Sequence, residues 1–284
     1  MNIKRILSLG LAGALAISLA ACGSSASSGN GAGASTPSTD SDGKQVKIAA
    51  LCTVAKPLSW LDENNLFQGY DVDVVNALNE VLEGYTIEIE ACSEELIDVK
   101  MENGEANLTT GLVNDNRLKK FNIPETPILG AATALYIRAE DADQITGLQA
   151  VADGGYKIAP VPPNGGMFNQ LTAWNEANNN ALGEIPVAEG VTVAENLQAV
   201  AEGQYDVLVW PNHYDVGNTI QEAGFDIVQA KEPVKKSASA ILIQKDDPEF
   251  AEAVNEALIT LTENGTLGEL QQKWYGEDMF QYLP

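Results

Sequence analysis

The sequence predicts an α/β fold in which two units of alternating strands and helices follow one another along the chain. The 284 residues are 45% hydrophobic and 20% charged, a composition typical of a globular protein. At about 150 residues per domain, the chain is long enough for two hydrophobic cores. From residue 44 onward, short apolar runs alternate with stretches of helical periodicity. This alternation is typical of mostly parallel sheets flanked by helices.

The first unit begins with a short apolar strand at residues 46–51. Asp71 is expected to cap a helix whose apolar face carries Val74, Val75, Leu78, Val81 and Leu82. Residues 85–91 alternate as a second strand, Ser93 starts a second helix, and residues 107–113 form a third strand.

The second unit repeats the alternation with shorter elements. We expect helices at residues 147–153, 166–178 and 194–202, and strands at residues 156–161, 185–188 and 205–210. The two units in series complete the predicted α/β architecture.

Composition also excludes several classes of function. The net charge of −24, from 40 acidic and 16 basic residues, gives nucleic-acid phosphates almost nothing to bind. One histidine and three cysteines supply too few groups for a transition-metal site or a Ser-His-Asp triad. We therefore expect no metal, no cofactor and no nucleic-acid partner. The single histidine, His213, is expected to be a hydrogen-bonded residue at the surface or at a rim.

The N-terminus resembles a bacterial lipoprotein signal. Lys4 and Arg5 precede an apolar run at residues 6–19, and Leu-Ala-Ala-Cys ends at Cys22. This pattern predicts cleavage after residue 21 and lipidation of Cys22; the alternatives are an ordinary signal peptide or a membrane anchor. Residues 22–43 are rich in Gly and Ser and are expected to form a flexible tether before a globular body that starts near Lys44.

Five motifs, in this order and spacing, resemble the extracytoplasmic solute-binding proteins of polar amino acid ABC importers (family 3). They are GYDVDV at 69–74, NRLKKF at 116–121 followed by Pro124, TGLQAVADGGYKIAPV at 146–161, TVAENLQAVAEGQYDVLVW at 192–210 and DDPEFAEAVNEALITLTENGTLGELQQKWYG at 246–276. The resemblance implies a two-lobed type II periplasmic-binding-protein fold. Lobe one would hold residues 44–136 and 240–284, lobe two residues 137–239, and the two crossings near 131–138 and 237–245 would form the hinge.

The same resemblance implies a function. A lipoprotein of this family captures a small polar solute, an amino acid or a derivative bearing a carboxylate, between two closing lobes. It acts as a monomer, docks on ABC permease subunits in the membrane and is not an enzyme. Two alternatives stay open: a ligand-sensing lipoprotein, and an enzyme on the same scaffold such as a dehydratase. The enzyme would need a cleft carboxyl group with a raised pKa, and the sequence marks none.

Arg117 is the foremost candidate for contact with the ligand. Its planar guanidinium can donate two parallel hydrogen bonds to one carboxylate. It also stands where the family places an arginine that binds the ligand's α-carboxylate. The alternatives are an exposed helix arginine or one paired with Asp115. Backbone amides of Gly111, Leu112 and Val113 are expected to assist.

On the second lobe, the turn of Asn164, Gly165, Gly166 and Met167 precedes a helix and is expected to point N–H groups at an anion. The alternative is a turn that only needs a positive φ. Trp60, Trp210 and Asn212 are also expected at the cleft, whereas Trp174 and Trp274 are expected in the core.

The sequence departs from the family at two places. Pro211 stands where relatives carry an aspartate for the ligand's ammonium, so Asp215, Glu195 or Asp115 would have to replace it, or the ligand is not an ordinary zwitterion. Ala55 stands where an aromatic ring commonly packs on the ligand.

Cys52 and Cys92 follow two strands that are expected to be neighbours. In an oxidising compartment such a pair predicts a disulfide. The alternative is two separate buried thiols.

Overall fold

The computed structural model describes residues 38–284, which belong to one compact unit. The predicted signal peptide, Cys22 and most of the predicted tether lie outside the described residues. The end of that tether is already part of the fold, because Thr39 pairs with Gln45 and the Asp40 side chain accepts a hydrogen bond from Lys44 N at 2.9 Å.

Strands and helices alternate through most of the described chain. The strands are β1 (Gln45–Cys52), β2 (Val54–Ala55), β3 (Ser59–Leu61), β4 (Phe67–Gln68), β5 (Tyr85–Cys92), β6 (Leu108–Leu112), β7 (Phe121–Asn122), β8 (Leu129–Arg138), β9 (Val207–Pro211), β10 (Ile227–Gln229) and β11 (Lys235–Gln244). The helices are α1 (Tyr70–Val81), α2 (Glu94–Asn103), α3 (Asp115–Lys120), α4 (Leu148–Gly154), α5 (Gly166–Ala177), α6 (Val193–Ala201), α7 (Val216–Ala223), α8 (Pro248–Glu263) and α9 (Thr266–Tyr275).

One mixed sheet includes strands from both predicted units, in the order β10-β8-β11-β6-β1-β5. Off this path, β9 pairs with β8 and β7 pairs with β11. β1 pairs in parallel with β5 and β6, as the sequence predicts. β8 and β11 are the predicted crossings, and they run antiparallel to each other and to their other neighbours. The α/β class is therefore the observed one, with antiparallel pairs wherever the crossing strands take part.

Two predicted strands of the second unit are reduced to single bridges. Ile158 pairs only with Val207, and Val161 only with Val187, both in parallel. Prolines at 160, 162, 163 and 186 explain the difference, because proline lacks the N–H that a longer ladder would need.

The buried side chains form four hydrophobic clusters that fall into two groups. Two clusters draw on residues 48–129 together with 241–282. The other two draw on residues 134–234. This grouping follows the lobes expected at 44–136 with 240–284 and at 137–239; the lobe boundaries themselves stay a prediction. We call residues 44–129 with 241–284 the first half of the chain and residues 134–234 the second half.

The first turn of α1 differs from the expectation. Gly69, not Asp71, is the residue before the helix, and its φ of 131° is open to glycine alone. A Cβ there would lie 2.2 Å from the carbonyl oxygen of Leu58. This close approach places Asp71 inside the first turn, where it is buried.

The C-terminal segment packs against the start of crossing strand β8. After α9 the chain makes a 3₁₀ turn at Met279–Tyr282, and a Cβ on Gly130 of β8 would lie 2.2 Å from the carbonyl oxygen of Met279. Glycine is therefore required where the tail crosses the strand. Within residues 38–284, no helix combines the length and apolar character that crossing a membrane needs.

We expect Gly130→Ala to lower the free energy of unfolding by about 1–3 kcal/mol, because the added methyl group meets backbone atoms that have no room to move. Urea denaturation measures the change. Gly268→Ala on α9 is the matched control, since nothing lies within 4 Å of its added Cβ. That variant should be neutral or more stable by up to about 1 kcal/mol. Equal stability of the Gly130→Ala variant and the unsubstituted protein would contradict the described packing.

Candidate functional site

A cavity of about 360 Å³ opens where β1 and β6 end. We call it the Arg117 cavity. It is lined from the first half by the ends of both strands, the first turn of α1 and helix α3, and from the second half by His213 and Tyr214, which follow β9. The cavity thus lies beyond the carboxyl ends of strands, the usual place for a ligand in an α/β sheet.

Arg117 is held in place by the local structure of α3. The Asn114 side chain caps this helix by accepting hydrogen bonds from the backbone N–H groups of Asn116 and Arg117. Arg117 Nη1 donates to the carbonyl oxygen of Leu112 at 2.8 Å. The guanidinium covers Gly111 so closely that a Cβ there would lie 2.3 Å from Nη1.

The guanidinium is available to a ligand. Arg117 is half-buried, and among residues 38–284 no carboxylate comes within 4.0 Å of it. Neither alternative, an exposed arginine or one paired with Asp115, describes this environment. Its donors other than Nη1 are without a protein acceptor in the part of the chain described.

Asp71, which the sequence predicts only as a helix cap, is a second charged group of this cavity. Its side chain is buried, and Oδ2 accepts a hydrogen bond from Thr110 Oγ1 at 2.6 Å. Oδ1 is buried without a partner among the described residues. Burial raises the pKa of Asp71 to about 6 from an ordinary 3.8.

His213 is a core residue of the cleft, not the rim residue expected. Only 5% of it is exposed, and its Nδ1 is without a partner among the described residues. Burial lowers the pKa of His213 to about 4, so its ring is neutral at pH 7. The lone histidine thus contributes a neutral polar group to the cleft wall.

Tyr214 reaches from the second half toward the charged groups of the first. Burial, and then the negative charge of Glu94, raises the pKa of its hydroxyl; Arg117 and Asp71 also act on it electrostatically. The ring of Tyr214 lies 4.6 Å from that of His213. Tyr214 therefore supplies an aromatic surface to this cavity, where Ala55 stands in place of the aromatic residue that relatives commonly carry.

A cavity of about 250 Å³ adjoins the Arg117 cavity and shares Leu112, His213 and Tyr214 with it. We call it the Met167 cavity. Its other lining residues include Gly166 and Met167 at the start of α5 and three residues of β8. No charged side chain of the described chain lines it, so it offers uncharged space beside the charged cavity.

The structure brings together five of the predicted contact residues and separates the others. Gly111, Leu112 and Arg117 line the Arg117 cavity, and Gly166 and Met167 line the Met167 cavity.

Val113 and the turn before α5 do not line these two cavities. The N–H of Val113 donates to Ala238 O at 2.8 Å, so it is not available to a ligand. Asn164 has a φ of 61° and, with Gly165, forms the turn that leads into α5. The alternative of a turn with positive φ therefore describes Asn164.

The tryptophans expected at the cleft lie elsewhere. Trp60 packs edge-on against Trp274, with 5.4 Å between ring centroids. Trp210 packs against the hydrophobic cluster that includes Leu197 and Val216. Both rings pack on apolar partners within their own half of the chain. Burial of apolar surface stabilises the fold, which favours this packing over exposure of the rings to a ligand in the cleft.

The three proposed replacements for the missing aspartate do not line the Arg117 cavity. Asp115 is exposed. Glu195 closes a capping box with Thr192 at the start of α6. Asp215 accepts a hydrogen bond from Asn218 Nδ2 at 2.7 Å and lines a different cavity, as does Asn212. The acidic residues that do line the Arg117 cavity are Asp71 and Glu94.

A family model for bacterial extracellular solute-binding proteins, family 3, matches residues 48–277. The chain belongs to this family. It is 25% identical over 224 residues to the probable amino-acid-binding protein YxeM of Bacillus subtilis, a match that covers 76% of this chain and 79% of that protein. It is 29% identical over 107 residues to the L-cystine-binding protein TcyA of the same organism. That match covers 37% of this chain and 39% of the relative, so it spans less than half of either protein.

Solved structures show the same fold. The probable amino-acid ABC transporter extracellular-binding protein ytmK from Bacillus subtilis superposes with a TM-score of 0.70 at 18% identity, covering 82% of this chain and 99% of that one. The two-lobed type II periplasmic-binding-protein fold predicted from the sequence motifs is confirmed.

In this family 3 protein the two cysteines face each other but are not bonded. Cys52 and Cys92 are register partners at the ends of β1 and β5, and both are free thiols. The predicted disulfide is therefore absent from the structure. Cys52 instead lines the Arg117 cavity.

We expect Asp71 and His213 to act on stability in opposite directions between pH 4 and 6. Asp71 has a raised pKa in the folded state, so the folded protein binds its proton more tightly and stability falls as pH rises toward about 6. His213 has a lowered pKa of about 4, so the unfolded state takes up its proton first and stability falls as pH drops below 6.5.

Urea denaturation of single variants over pH 4–7.5 separates the two effects. Asp71→Asn should gain up to about 3 kcal/mol over the unsubstituted protein at pH 7.5 and nothing at pH 4. His213→Asn should show its gain near pH 4.5 and lose it by pH 7.5. A stability difference that does not depend on pH in either variant would contradict the burial of that group.

Proposed function

We propose that this protein is the substrate-binding component of an ABC importer and that it captures a small zwitterion in the Arg117 cavity. The ligand's carboxylate would bind Arg117, and its ammonium would bind Asp71 together with Glu94. One observation carries this proposal: within residues 38–284, the same cavity is lined by a guanidinium without a carboxylate partner and by the buried Asp71 carboxylate, one oxygen of which has no donor. An amino acid or a close derivative supplies both missing partners.

The energetics favour such a ligand. Burying the Asp71 carboxylate is costly, and its raised pKa expresses that cost. An ammonium placed at Oδ1 would offset part of it by a charge-assisted hydrogen bond in a site that excludes water. Asp71 would thus replace the aspartate that relatives carry where this chain has Pro211.

Closure of two lobes would complete the site. Residues 44–136 with 240–284 would form one lobe and residues 137–239 the other, with β8 and β11 as hinge strands. Tyr214 supports this reading, because it follows β9 of the second lobe and yet lines a cavity whose charged residues belong to the first. A ligand held by Arg117 and covered by Tyr214 would stabilise the closed form.

The wider role follows from family membership. The closed, monomeric protein would present itself to ABC permease subunits, and a lipid at Cys22 would hold it at the outer face of the membrane. It would bind its ligand without converting it.

A thermal-shift screen tests the ligand class, because a compound that binds only the folded protein raises its melting temperature. The set comprises amino acids, sulfur-containing and diamino amino acids, dipeptides, and carboxylic acids and amines that carry only one of the two groups. We expect hits only among compounds with both a carboxylate and an ammonium. Hits confined to compounds that lack an ammonium would overturn the role of Asp71.

We expect Arg117→Ala to weaken the best hit of that screen at least about 30-fold, the usual cost of removing one partner of a hydrogen-bonded charge pair. Gly111→Ala should also weaken binding, because its methyl group takes the space of the guanidinium. Isothermal titration calorimetry measures both. Lys119→Ala is the matched control, since Lys119 is an exposed cation on the same helix. Unchanged affinity of the Arg117→Ala variant would refute the assignment.

One observation favours a second candidate, an enzyme on this scaffold. The cleft carboxyl group with a raised pKa that a dehydratase needs, and that the sequence did not reveal, is Asp71. Mass spectrometry of the hit compound after prolonged incubation with the protein distinguishes the two functions. Loss of water from the compound, abolished in Asp71→Asn, would favour the enzyme; recovery of unchanged compound would favour the binding protein.

A further inference from the structure

We propose that Cys52 and Cys92 form a redox-active thiol pair beside the Arg117 cavity, and that a small disulfide compound bearing amino acid groups oxidises it. The compound would enter the cavity in place of the usual ligand and exchange its disulfide with the two thiols. This inference rests on the proposed function, because Arg117 would hold the carboxylate of the incoming compound. It adds a covalent modification site to a protein that binds its ligand reversibly.

The two thiols lie side by side at the ends of neighbouring strands. Cys52 ends β1 and Cys92 ends β5, and the two residues are register partners in a parallel pair. Register partners point their side chains to the same face of a sheet, and their Cα atoms lie about 4.8 Å apart. That separation falls within the roughly 4.4–6.8 Å between Cα atoms that a disulfide spans. Both thiols are free in the structure, so the pair is reduced and is positioned for oxidation.

The face of the sheet that carries the pair borders the Arg117 cavity along α2. Cys92 belongs to a hydrophobic cluster with Met101, and Ile97 of α2 packs against that cluster. Ile97 and Cys52 both line the Arg117 cavity. Cys52 is half-buried, whereas Cys92 is buried with 4% of it exposed. A compound in the cavity therefore meets Cys52 first, and Cys92 lies behind it.

Electrostatics support the same order of reaction. Burial raises the pKa of the Cys92 thiol, and Lys100 offsets this shift only in part. The thiolate is the nucleophile in disulfide exchange, so burial disfavours Cys92 as the first to attack. Burial also raises the pKa of the Tyr214 hydroxyl, and Cys52 contributes to that shift. The sulfur of Cys52 therefore lies close enough to act on a residue across the cavity.

The exchange needs no reactant other than the disulfide compound. The Cys52 thiolate attacks one sulfur of the compound, so that a new S–S bond forms to Cys52 Sγ and the compound's own S–S bond breaks. The first half leaves as a thiol with the proton that Cys52 gave up. Cys92 then attacks Cys52 Sγ, which releases the second half as a thiol and closes the Cys52–Cys92 disulfide. The pair loses two electrons and two protons, and the compound gains both.

The charged groups of the cavity would provide selectivity. Arg117, Asp71 and Glu94 line the same cavity as Cys52. A compound that carries a carboxylate and an ammonium beside its disulfide can bind these groups, and a bound disulfide held against Cys52 reacts faster because of its proximity. A disulfide without charged groups gains no such advantage.

L-cystine is the probe, because it consists of two amino acid halves joined by a disulfide. Hydroxyethyl disulfide, which has neither a carboxylate nor an ammonium, is the reference compound. The full chain carries Cys22→Ala, so that only the thiol pair can react, and it is reduced before use. Intact-mass spectrometry follows the reaction, and each rate is divided by that of glutathione with the same compound. We expect the corrected rate to be at least about tenfold higher for L-cystine, with a product that has lost two hydrogens and carries no adduct.

Variants assign the two steps. Cys92→Ser should stop at a mixed disulfide that carries one half of L-cystine on Cys52. Cys52→Ser should react at least about tenfold more slowly, because the remaining thiol is buried. Arg117→Ala should lose the preference for L-cystine over hydroxyethyl disulfide. Lys119→Ala, an exposed cation on the same helix, is the matched control and should keep that preference.

Three results would overturn the proposal: equal corrected rates for the two compounds, a stable adduct on the unsubstituted pair, or a preference for L-cystine that survives in Arg117→Ala. The proposed function is judged separately by the thermal-shift screen. Arg117-dependent binding of a zwitterion without any exchange would refute the thiol pair and leave the proposed function standing.

Discussion

The buried carboxylate of Asp71 is the constraint around which the cleft is arranged. Gly69 has a positive φ and its backbone lies close to Leu58, so the start of α1 lies inside the protein. Asp71, in the first turn of that helix, is therefore buried. Thr110, on the neighbouring strand, satisfies one of its oxygens. The other oxygen has no donor among residues 38–284. A buried carboxylate oxygen without a donor costs stability, and under the proposed function the ligand's ammonium would offset that cost. Stability given up at a binding site is a common feature of proteins that must hold a ligand.

Tyr214 connects this charged centre to the rest of the cleft. It lines both the Arg117 cavity and the Met167 cavity, because it follows a strand at the point where the two halves of the chain meet. Movement of the second half would therefore alter both cavities together. A ligand that contacts Tyr214 more favourably in one position of the second half shifts the population of conformations toward that position.

Much of the fold could be predicted from the sequence, and Arg117, which the family resemblance singled out, does line the cavity. Strand and helix periodicity is a local property, whereas the expectation for Arg117 comes from the resemblance of its motif to that of family 3. Asp71 could not be recognised, since the local pattern is equally compatible with a helix cap, and only the approach of Leu58 buries it. The sequence does place an acid between Tyr70 and Val72 on an otherwise apolar helix face. That acid can be recognised as buried only once the rest of the protein is known to cover this face. Trp60 and Trp210 pack on apolar partners that are distant in sequence, so tertiary packing and not the local pattern decides which way these rings face.

The proposed function depends most directly on pairing of the ligand's ammonium with Asp71. Carbon-13 NMR titration of the Asp71 carboxyl group, without ligand and with the best zwitterion hit at saturation, tests it directly. Without ligand the pKa should lie near 6. With ligand, a cation at Oδ1 favours the charged form, and the pKa should fall below the ordinary value of 3.8. A pKa that stays near 6, or rises, at full occupancy would show that the ammonium lies elsewhere and would contradict this account.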